Sequence, residues 1–321
     1  MEITNKTKIL KVFFILIFQF FLFSAGLMHC KTQRTHLKSQ RSQAIFKVPG
    51  IEPLKQVPVA LVLSPGLARG YAHVGVIQAL THAKIQIGAV LGTEMGALIA
   101  AIYAVSPTIN MFEWNLDQYF RPELFAPRSV LSQWIHKIKI SNKEESGEEK
   151  FESALKNFFG EKDLKDALTP IRIAVRSSKT GSICILEEGK IQSAVRGAMG
   201  GYLYKPFTMG KEKLLIESAA QEYSRLIEEA KKFFPGPVIV VDVLNEWESK
   251  KAQNHQEKLK KTDFVIRPQL KMKKNGSKKE IGYEDFSKEA AAAAFYCGKV
   301  AVNACLDQLR ALSQIRLESV R

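Results

Sequence analysis

Cysteine is scarce in this chain of 321 residues, which contains only four. Four cysteines can form at most two disulfide bonds, too few to cross-link a chain of this length, so a disulfide-rich scaffold is excluded. Cys297 and Cys305 lie eight residues apart on a predicted helix, a rise of about 12 Å, which is too far for a disulfide bond. We therefore predict that Cys184, Cys297 and Cys305 are buried free thiols.

Glycine-rich phosphate-binding motifs are also missing. Neither G-x-G-x-x-G nor G-x-x-x-x-G-K-[ST] occurs in the chain, so the common dinucleotide and P-loop sites are excluded. Acidic residues are few relative to basic ones, 32 against 47, and the formal net charge is +15. A positive charge of this size attracts anionic membranes or nucleic acid.

Part of this charge falls between Ser249 and Lys279, where aromatic residues are almost absent apart from Phe264. Single-stranded nucleic-acid sites interleave aromatic and basic side chains, so we do not expect nucleic acid to be the partner. A basic run that is broken in this way is more typical of solvated loops.

The N-terminus contains a basic segment followed by a long apolar run. Lysines within residues 6–11 precede the apolar stretch from Val12 to Met28. This order is typical of a signal peptide or a membrane anchor, which we place in residues 1–30. The polar residues 31–56 are predicted to form a linker.

The fate of this N-terminal segment stays open between three alternatives. The segment can be cleaved after Gly26, lipidated at Cys30, or kept as an uncleaved anchor. In each case we expect an exported protein that is membrane-associated or periplasmic. A membrane surface is therefore one expected partner.

A strand–helix–strand unit follows the linker. Residues 58–63 form a continuous apolar run, as expected of a strand that is buried on both faces. Residues 72–83 show helical periodicity, and residues 85–91 form a second apolar run. Such a unit predicts parallel strands in an α/β fold.

The second strand ends in the segment Gly92-Thr93-Glu94-Met95-Gly96, and a helix of small residues follows. A strand, a glycine-bounded turn and a helix are the layout of a nucleophile elbow, G-x-S-x-G. Glu94 stands where that motif has its nucleophilic serine. The substitution decides whether this chain is expected to be an enzyme.

In motif order and spacing, the chain resembles the patatin-like phospholipase family over residues 57–312. The segments that carry the resemblance are residues 60–80, the elbow, and Glu217-Ser218-Ala219. The resemblance implies a three-layer α/β/α patatin-like fold with a mostly parallel central sheet. Residues 313–321 are left as a C-terminal tail.

The resemblance also implies three catalytic features: a nucleophilic serine, an aspartate that accepts its proton, and a glycine-rich loop that holds the oxyanion. The chain departs from all three. Glu94 replaces the serine, and Glu217 replaces the aspartate. Pro65, without an N–H, and Leu67, with a bulky side chain, stand in the glycine-rich loop. The positions that match the family motifs are the oxyanion-loop residues Gly66, Leu67, Arg69 and Gly70 and the elbow residues Gly92 and Gly96.

Three coordinated departures predict a pseudoenzyme that acts as a lipid-binding or interaction module. The Glu94 carboxylate is expected near the amides of residues 66–70, where the helix N-terminus stabilises its charge by about 0.3–2 kcal/mol. Arg69 is predicted either to pair with Glu94 or to bind backbone carbonyls. Glu217 is expected to face the same cavity.

The alternative is an active lipid acyl hydrolase with a non-standard nucleophile. Glu94 and Glu217 have no further ligands near them in the sequence, so no metal site is predicted, and no cofactor is expected. Besides a membrane lipid or surface, a protein partner of unknown identity stays open.

Overall fold

The computed structural model describes residues 56–125, 146–201, 203–210, 214–244, 259, 261–274 and 276–314. The predictions for residues 1–30, for nearly all of the 31–56 linker and for most of the 313–321 tail lie outside these residues. None of the described helices is both long enough and apolar enough to cross a membrane.

Strands and helices alternate in the first part of the described chain, as the sequence predicts. The strands are β1 (Val59–Leu63), β2 (Ile87–Gly92), β3 (Ile171–Ser177), β4 (Ile183–Leu186), β5 (Phe207–Met209), β6 (Leu214–Ser218), β7 (Val238–Val241), β8 (Phe264–Ile266), β9 (Lys271–Lys274) and β10 (Ser277–Glu280). The α-helices are α1 (Tyr71–His82), α2 (Met95–Val105), α3 (Ile109–Tyr119), α4 (Gly147–Phe159), α5 (Ile191–Ala198), α6 (Arg225–Phe233), α7 (Lys288–Ala304) and α8 (Leu306–Gln314).

Eight strands form a central sheet in the order β5-β6-β3-β2-β1-β7-β8, and β4 also pairs with β3. Five consecutive strands of this sheet are parallel to one another, namely β3, β2, β1, β7 and β8. The antiparallel pairs of this sheet are β3–β4, β3–β6 and β5–β6. The predicted mostly parallel sheet is confirmed.

Both faces of this sheet are covered, which gives the three-layer arrangement. Successive residues of β1 alternate between two hydrophobic cores because side chains of a strand point to opposite faces. Val59, Leu61 and Leu63 belong to one core, together with α1, α2 and α7. Ala60 and Val62 belong to the other, together with α6.

Helices α1 and α7 approach each other at two glycines. An added Cβ at Gly75 would lie 1.9 Å from the carbonyl oxygen of Phe295. A Cβ at Gly298 would lie 2.1 Å from the carbonyl oxygen of Ala72. The backbones are therefore in direct contact, and this crossing fixes α7 relative to the loop that precedes α1.

The charged sequence of residues 141–150 favours a loop, whereas the structure begins α4 within this segment, at Gly147. The helix begins at Gly147 because Ser146 and Glu149 form a capping box. The Ser146 hydroxyl accepts from the amide of Glu149, and the Glu149 carboxylate accepts from the amide of Ser146. Glu148 and Glu149 lie in the first helical turn, where the helix dipole stabilises acidic side chains.

Two further features of the C-terminal part were not predicted. β9 and β10 form a separate antiparallel hairpin in a segment that the sequence favours as a solvated loop. The sequence indicates one long alanine-rich C-terminal helix that is capped by Asp285 or Ser287 and runs to about Leu312. In the structure Ser287 is the cap, and the helix is divided at Cys305 into α7 and α8. Cys184 is exposed, so the prediction of a buried thiol is wrong there, and Cys297 and Cys305 are only partly buried.

Candidate active site

The elbow between β2 and α2 has a strained backbone. Glu94 has φ 54° and ψ −130°, a conformation that costs a non-glycine residue about 1–3 kcal/mol. The two flanking glycines allow this turn. A Cβ at Gly92 would lie 2.4 Å from the backbone of Gly96, and a Cβ at Gly96 would lie 2.5 Å from the carbonyl oxygen of Leu63.

The Glu94 carboxylate is buried and occupies a cluster of hydrogen-bond donors. The residue is 1% exposed. Its Oε2 accepts hydrogen bonds from the amide of Gly66 at 2.7 Å and from the amide of Leu67 at 3.2 Å. These groups only donate and an ionised carboxylate only accepts, so the site suits a negative charge.

Tyr283 supplies a third donor that sequence reasoning missed. Its hydroxyl donates to Glu94, 2.9 Å from Oε2 and 3.1 Å from Oε1. Tyr283 lies between β10 and α7, and no motif surrounds it in the sequence. It reaches Glu94 because the crossing of α1 and α7 brings the chain back over the loop that follows β1.

The loop after β1 keeps two amide donors despite Pro65. The proline precedes the donating amides of Gly66 and Leu67, so its missing N–H removes neither of these bonds. Leu67 has φ 41°, in the left-handed region that favours glycine. Its side chain is fully buried in the hydrophobic core, which compensates for this conformation. Gly70 packs closely on Met95, since a Cβ there would lie 2.3 Å from the Met95 Cγ.

Arg69 is buried beside this site and binds a backbone carbonyl, one of its two predicted roles. Its Nε donates to the carbonyl oxygen of Ile281 at 2.8 Å. The guanidinium also lies 3.5 Å from Glu280 and 5.7 Å from the ring centroid of Tyr283. Arg69 therefore holds the segment that carries the Tyr283 hydroxyl.

Glu217 lies at the end of β6, where its carboxylate is engaged by a cation. Its Oε1 is 2.5 Å from Nη2 of Arg176, which lies opposite Glu217 in the β3–β6 pair. The following backbone is close to the elbow, since Thr93 Oγ1 accepts from the amide of Ala219 at 3.2 Å. The Glu217-Ser218-Ala219 segment therefore packs against the elbow, and the Glu217 carboxylate is directed toward Arg176.

His73 on α1 is a buried structural group. Its Nε2 lies 2.8 Å from the carbonyl oxygen of Ser64, and Ser64 Oγ accepts from the amide of Val243. Burial lowers the pKa of His73 from 6.5 to about 4, because removal from water disfavours the charged form. At neutral pH this imidazole is uncharged and joins α1 to the loop after β1, which the Ser64 hydroxyl in turn joins to Val243, just after β7.

The low pKa of His73 predicts a loss of stability on acidification. Below pH 6.5 the unfolded chain binds a proton that the folded chain accepts only near pH 4. The contribution of His73 should therefore fall by about 2 kcal/mol between pH 7.5 and pH 5. We expect His73→Gln, whose amide nitrogen can replace Nε2, to lose less stability than the wild type over this range in urea titrations. Equal losses in both proteins would contradict this pKa.

The described residues offer no metal site. No group of three His, Cys, Asp or Glu side chains in that part of the chain could hold an ion. Cys30, the predicted lipidation site, lies outside the described residues.

The described residues thus form a mixed α/β protein with a mostly parallel sheet, and its strained strand-to-helix elbow places a buried carboxylate beside two loop amides. The family model of patatin-like phospholipase matches residues 61–240, more than half of the chain. The chain therefore belongs to the patatin-like phospholipase family.

Several curated proteins are similar over part of this chain. A patatin-like phospholipase domain-containing protein of Caenorhabditis elegans is 28% identical over 148 residues, 45% of this chain and 10% of that protein. An uncharacterized NTE family protein of Mycobacterium tuberculosis is 27% identical over 44% of this chain and 37% of its own length. Human patatin-like phospholipase domain-containing protein 6 is 25% identical over 58% of this chain and 13% of its own length. The match thus spans between 10% and 37% of the length of these relatives.

Two solved structures are also similar. VipD from Legionella pneumophila has a TM-score of 0.45 at 12% identity, covering 79% of this chain and 67% of VipD. ExoU in its complex with SpcU from Pseudomonas aeruginosa has a TM-score of 0.41 at 12% identity, covering 80% of this chain and 53% of that chain.

Proposed function

We propose that this member of the patatin-like phospholipase family lacks phospholipase activity and serves as a lipid-binding or interaction module at a membrane. The observation that carries the proposal is the position of the Glu94 carboxylate. It accepts from the paired amides of Gly66 and Leu67, the donors that would hold the oxyanion of an ester transition state. An internal carboxylate in this place excludes a substrate oxyanion.

The chemistry of the remaining groups supports the same proposal. The elbow has no serine hydroxyl. Glu217, at the position of the family's proton acceptor, forms an ion pair with Arg176. If Glu94 attacked an ester, it would form a mixed anhydride, a poor intermediate for hydrolysis. Our alternative remains an active acyl hydrolase that uses a non-standard nucleophile.

Ester hydrolysis by the purified full-length chain is expected to equal the buffer rate. Glu94→Ser should restore little activity, although it frees the amides of Gly66 and Leu67. The paired Glu217 would not accept the serine proton, and general-base catalysis contributes about 10²–10⁴-fold. We would measure the rates at which the wild type and Glu94→Ser hydrolyse short-chain nitrophenyl esters and phospholipid. Covalent labelling by a fluorophosphonate probe reports a reactive serine in either protein.

Robust turnover by the wild type that Glu94→Ala abolishes would replace our proposal with the alternative. High activity of Glu94→Ser alone would show that the Glu217–Arg176 pair does not prevent proton transfer. The double variant Glu94→Ser/Arg176→Ala tests this point, since it releases Glu217 from its cation.

Export and membrane attachment through the N-terminal segment are part of this proposal. They are supported by the basic residues and the apolar run that precede Cys30. A single acyl chain at Cys30 would bind membranes only marginally, so nearby basic residues would add a second signal. Fractionation of cells tests this part, and recovery of the full chain from Met1 in the soluble cytoplasm would overturn it.

A further inference from the structure

The β9–β10 hairpin concentrates positive charge on one face. In its antiparallel register Lys273 lies opposite Lys278, and Lys271 lies opposite Glu280. Residues that are opposite each other share a face of the hairpin, as do residues two apart along a strand. Lys271, Lys273 and Lys278 therefore lie on the same face, and all three are exposed.

This charge has little compensation within the described residues. None of Lys271, Lys273 and Lys278 forms an ion pair there, and Glu280, the acidic residue on their face, lies 3.5 Å from Arg69. Like charges directly opposite each other destabilise a strand pair. A hairpin that keeps Lys273 opposite Lys278 is suited to an external anion that neutralises both.

The hairpin is fixed to the body of the protein and has exposed apolar side chains near it. Met272 packs against the hydrophobic core. The thiol of Cys297 lies 3.6 Å from the carbonyl oxygen of Lys271, so β9 contacts α7. On the solvent side of α7, Tyr296 is 66% exposed and Val300 is 45% exposed.

We propose that the β9–β10 hairpin and the Tyr296–Val300 face of α7 form a docking surface for an anionic lipid membrane. Lysines beside exposed apolar and tyrosine side chains match the boundary between charged headgroups and acyl chains. Nucleic acid is less well matched, because Val300 offers no contact to phosphate and a lone tyrosine gives no stacking series. This inference deepens the proposed membrane association by naming the surface that contacts the lipid.

This docking surface is also continuous in sequence with the segment that contacts the elbow residue Glu94. β10 leads directly into Ile281 and Tyr283, which contact Arg69 and Glu94. A membrane bound at the hairpin would therefore lie next to the segment that covers the Glu94 carboxylate.

Vesicle co-sedimentation of the full-length chain tests this surface. The wild type is compared with Lys273→Gln/Lys278→Gln on vesicles of phosphatidylcholine alone and with 30% phosphatidylglycerol. A lysine near an anionic surface contributes about fivefold to partitioning. The double variant should thus bind the anionic vesicles about 25-fold more weakly, with no change on the neutral vesicles. Tyr296→Ala should weaken binding to the anionic vesicles further.

A matched control is Lys165→Gln/Lys179→Gln, which removes the same charge from exposed positions on either side of β3. It should bind as the wild type does, and an equal loss in both double variants would reduce the effect to net charge and overturn the proposal. Stronger binding to a 30-nucleotide strand than to anionic vesicles at equal charge would assign the surface to nucleic acid instead. Either result leaves the hydrolysis assays unaffected, so the two proposals can fail separately.

Discussion

Gly75→Ala is expected to lower the free energy of unfolding by at least about 3 kcal/mol. The added Cβ would lie 1.9 Å from the carbonyl oxygen of Phe295 and 2.9 Å from its carbon. Overpacking of a core usually costs about 1–3 kcal/mol, and a clash with backbone cannot be relieved by a side-chain rotation. Urea denaturation followed by tryptophan fluorescence measures the loss.

The matched control is Gly147→Ala in the first turn of α4, where an added Cβ meets nothing within 4 Å. Alanine is the better helix former there, so the free energy of unfolding should stay constant or rise by up to about 1 kcal/mol. If Gly75→Ala were as stable as this control, α1 and α7 would not be in backbone contact. The position of Tyr283 over Glu94 would then lose its support.

Glu94→Ala is expected to lower the free energy of unfolding by about 2–4 kcal/mol. The carboxylate accepts from two buried amides and a tyrosine hydroxyl, and hydrogen bonds to charged groups contribute about 1.5–3 kcal/mol each. The several kcal/mol that desolvation of the charge costs offset part of this sum. We expect the hydrogen bonds to outweigh the desolvation cost, because the bonds are short and Glu94→Ala would leave the buried donors without an acceptor.

Glu94→Gly should be more stable than Glu94→Ala by about 1 kcal/mol or more. Both variants lose the carboxylate, but only glycine adopts φ 54° and ψ −130° without strain. This order is the reverse of the usual one, in which glycine near a helix is less stable than alanine. Chemical denaturation of the three proteins under identical conditions gives the order.

The sign of the Glu94→Ala effect also bears on the proposed function. A structural occupant of the amide pair stabilises the fold, whereas a reactive group is commonly kept at a cost in stability. If Glu94→Ala were more stable than the wild type, the buried charge would be retained at such a cost. That result would favour the alternative in which Glu94 takes part in a reaction.

The alternation of strands and helices could be read from the sequence because it depends on local patterns. The continuous apolar run of β1 predicted a strand that is buried on both faces, and the structure places its residues in two cores. The hairpin β9–β10 could not be read in this way. Its lysine-rich strands lack the apolar alternation of a half-buried sheet, and their pairing follows from packing on α7.

The sequence by itself determined the elbow, because glycines at positions 92 and 96 around Glu94 are a local signal for a tight strand-to-helix turn. It also showed that a carboxylate replaces the expected hydroxyl. Only the tertiary structure decided what surrounds that carboxylate. Tyr283 is 189 residues from Glu94, and the amides of Gly66 and Leu67 are 28 and 27 residues away. Contacts between such distant positions depend on how the helices and strands pack, and no local pattern of residues encodes them.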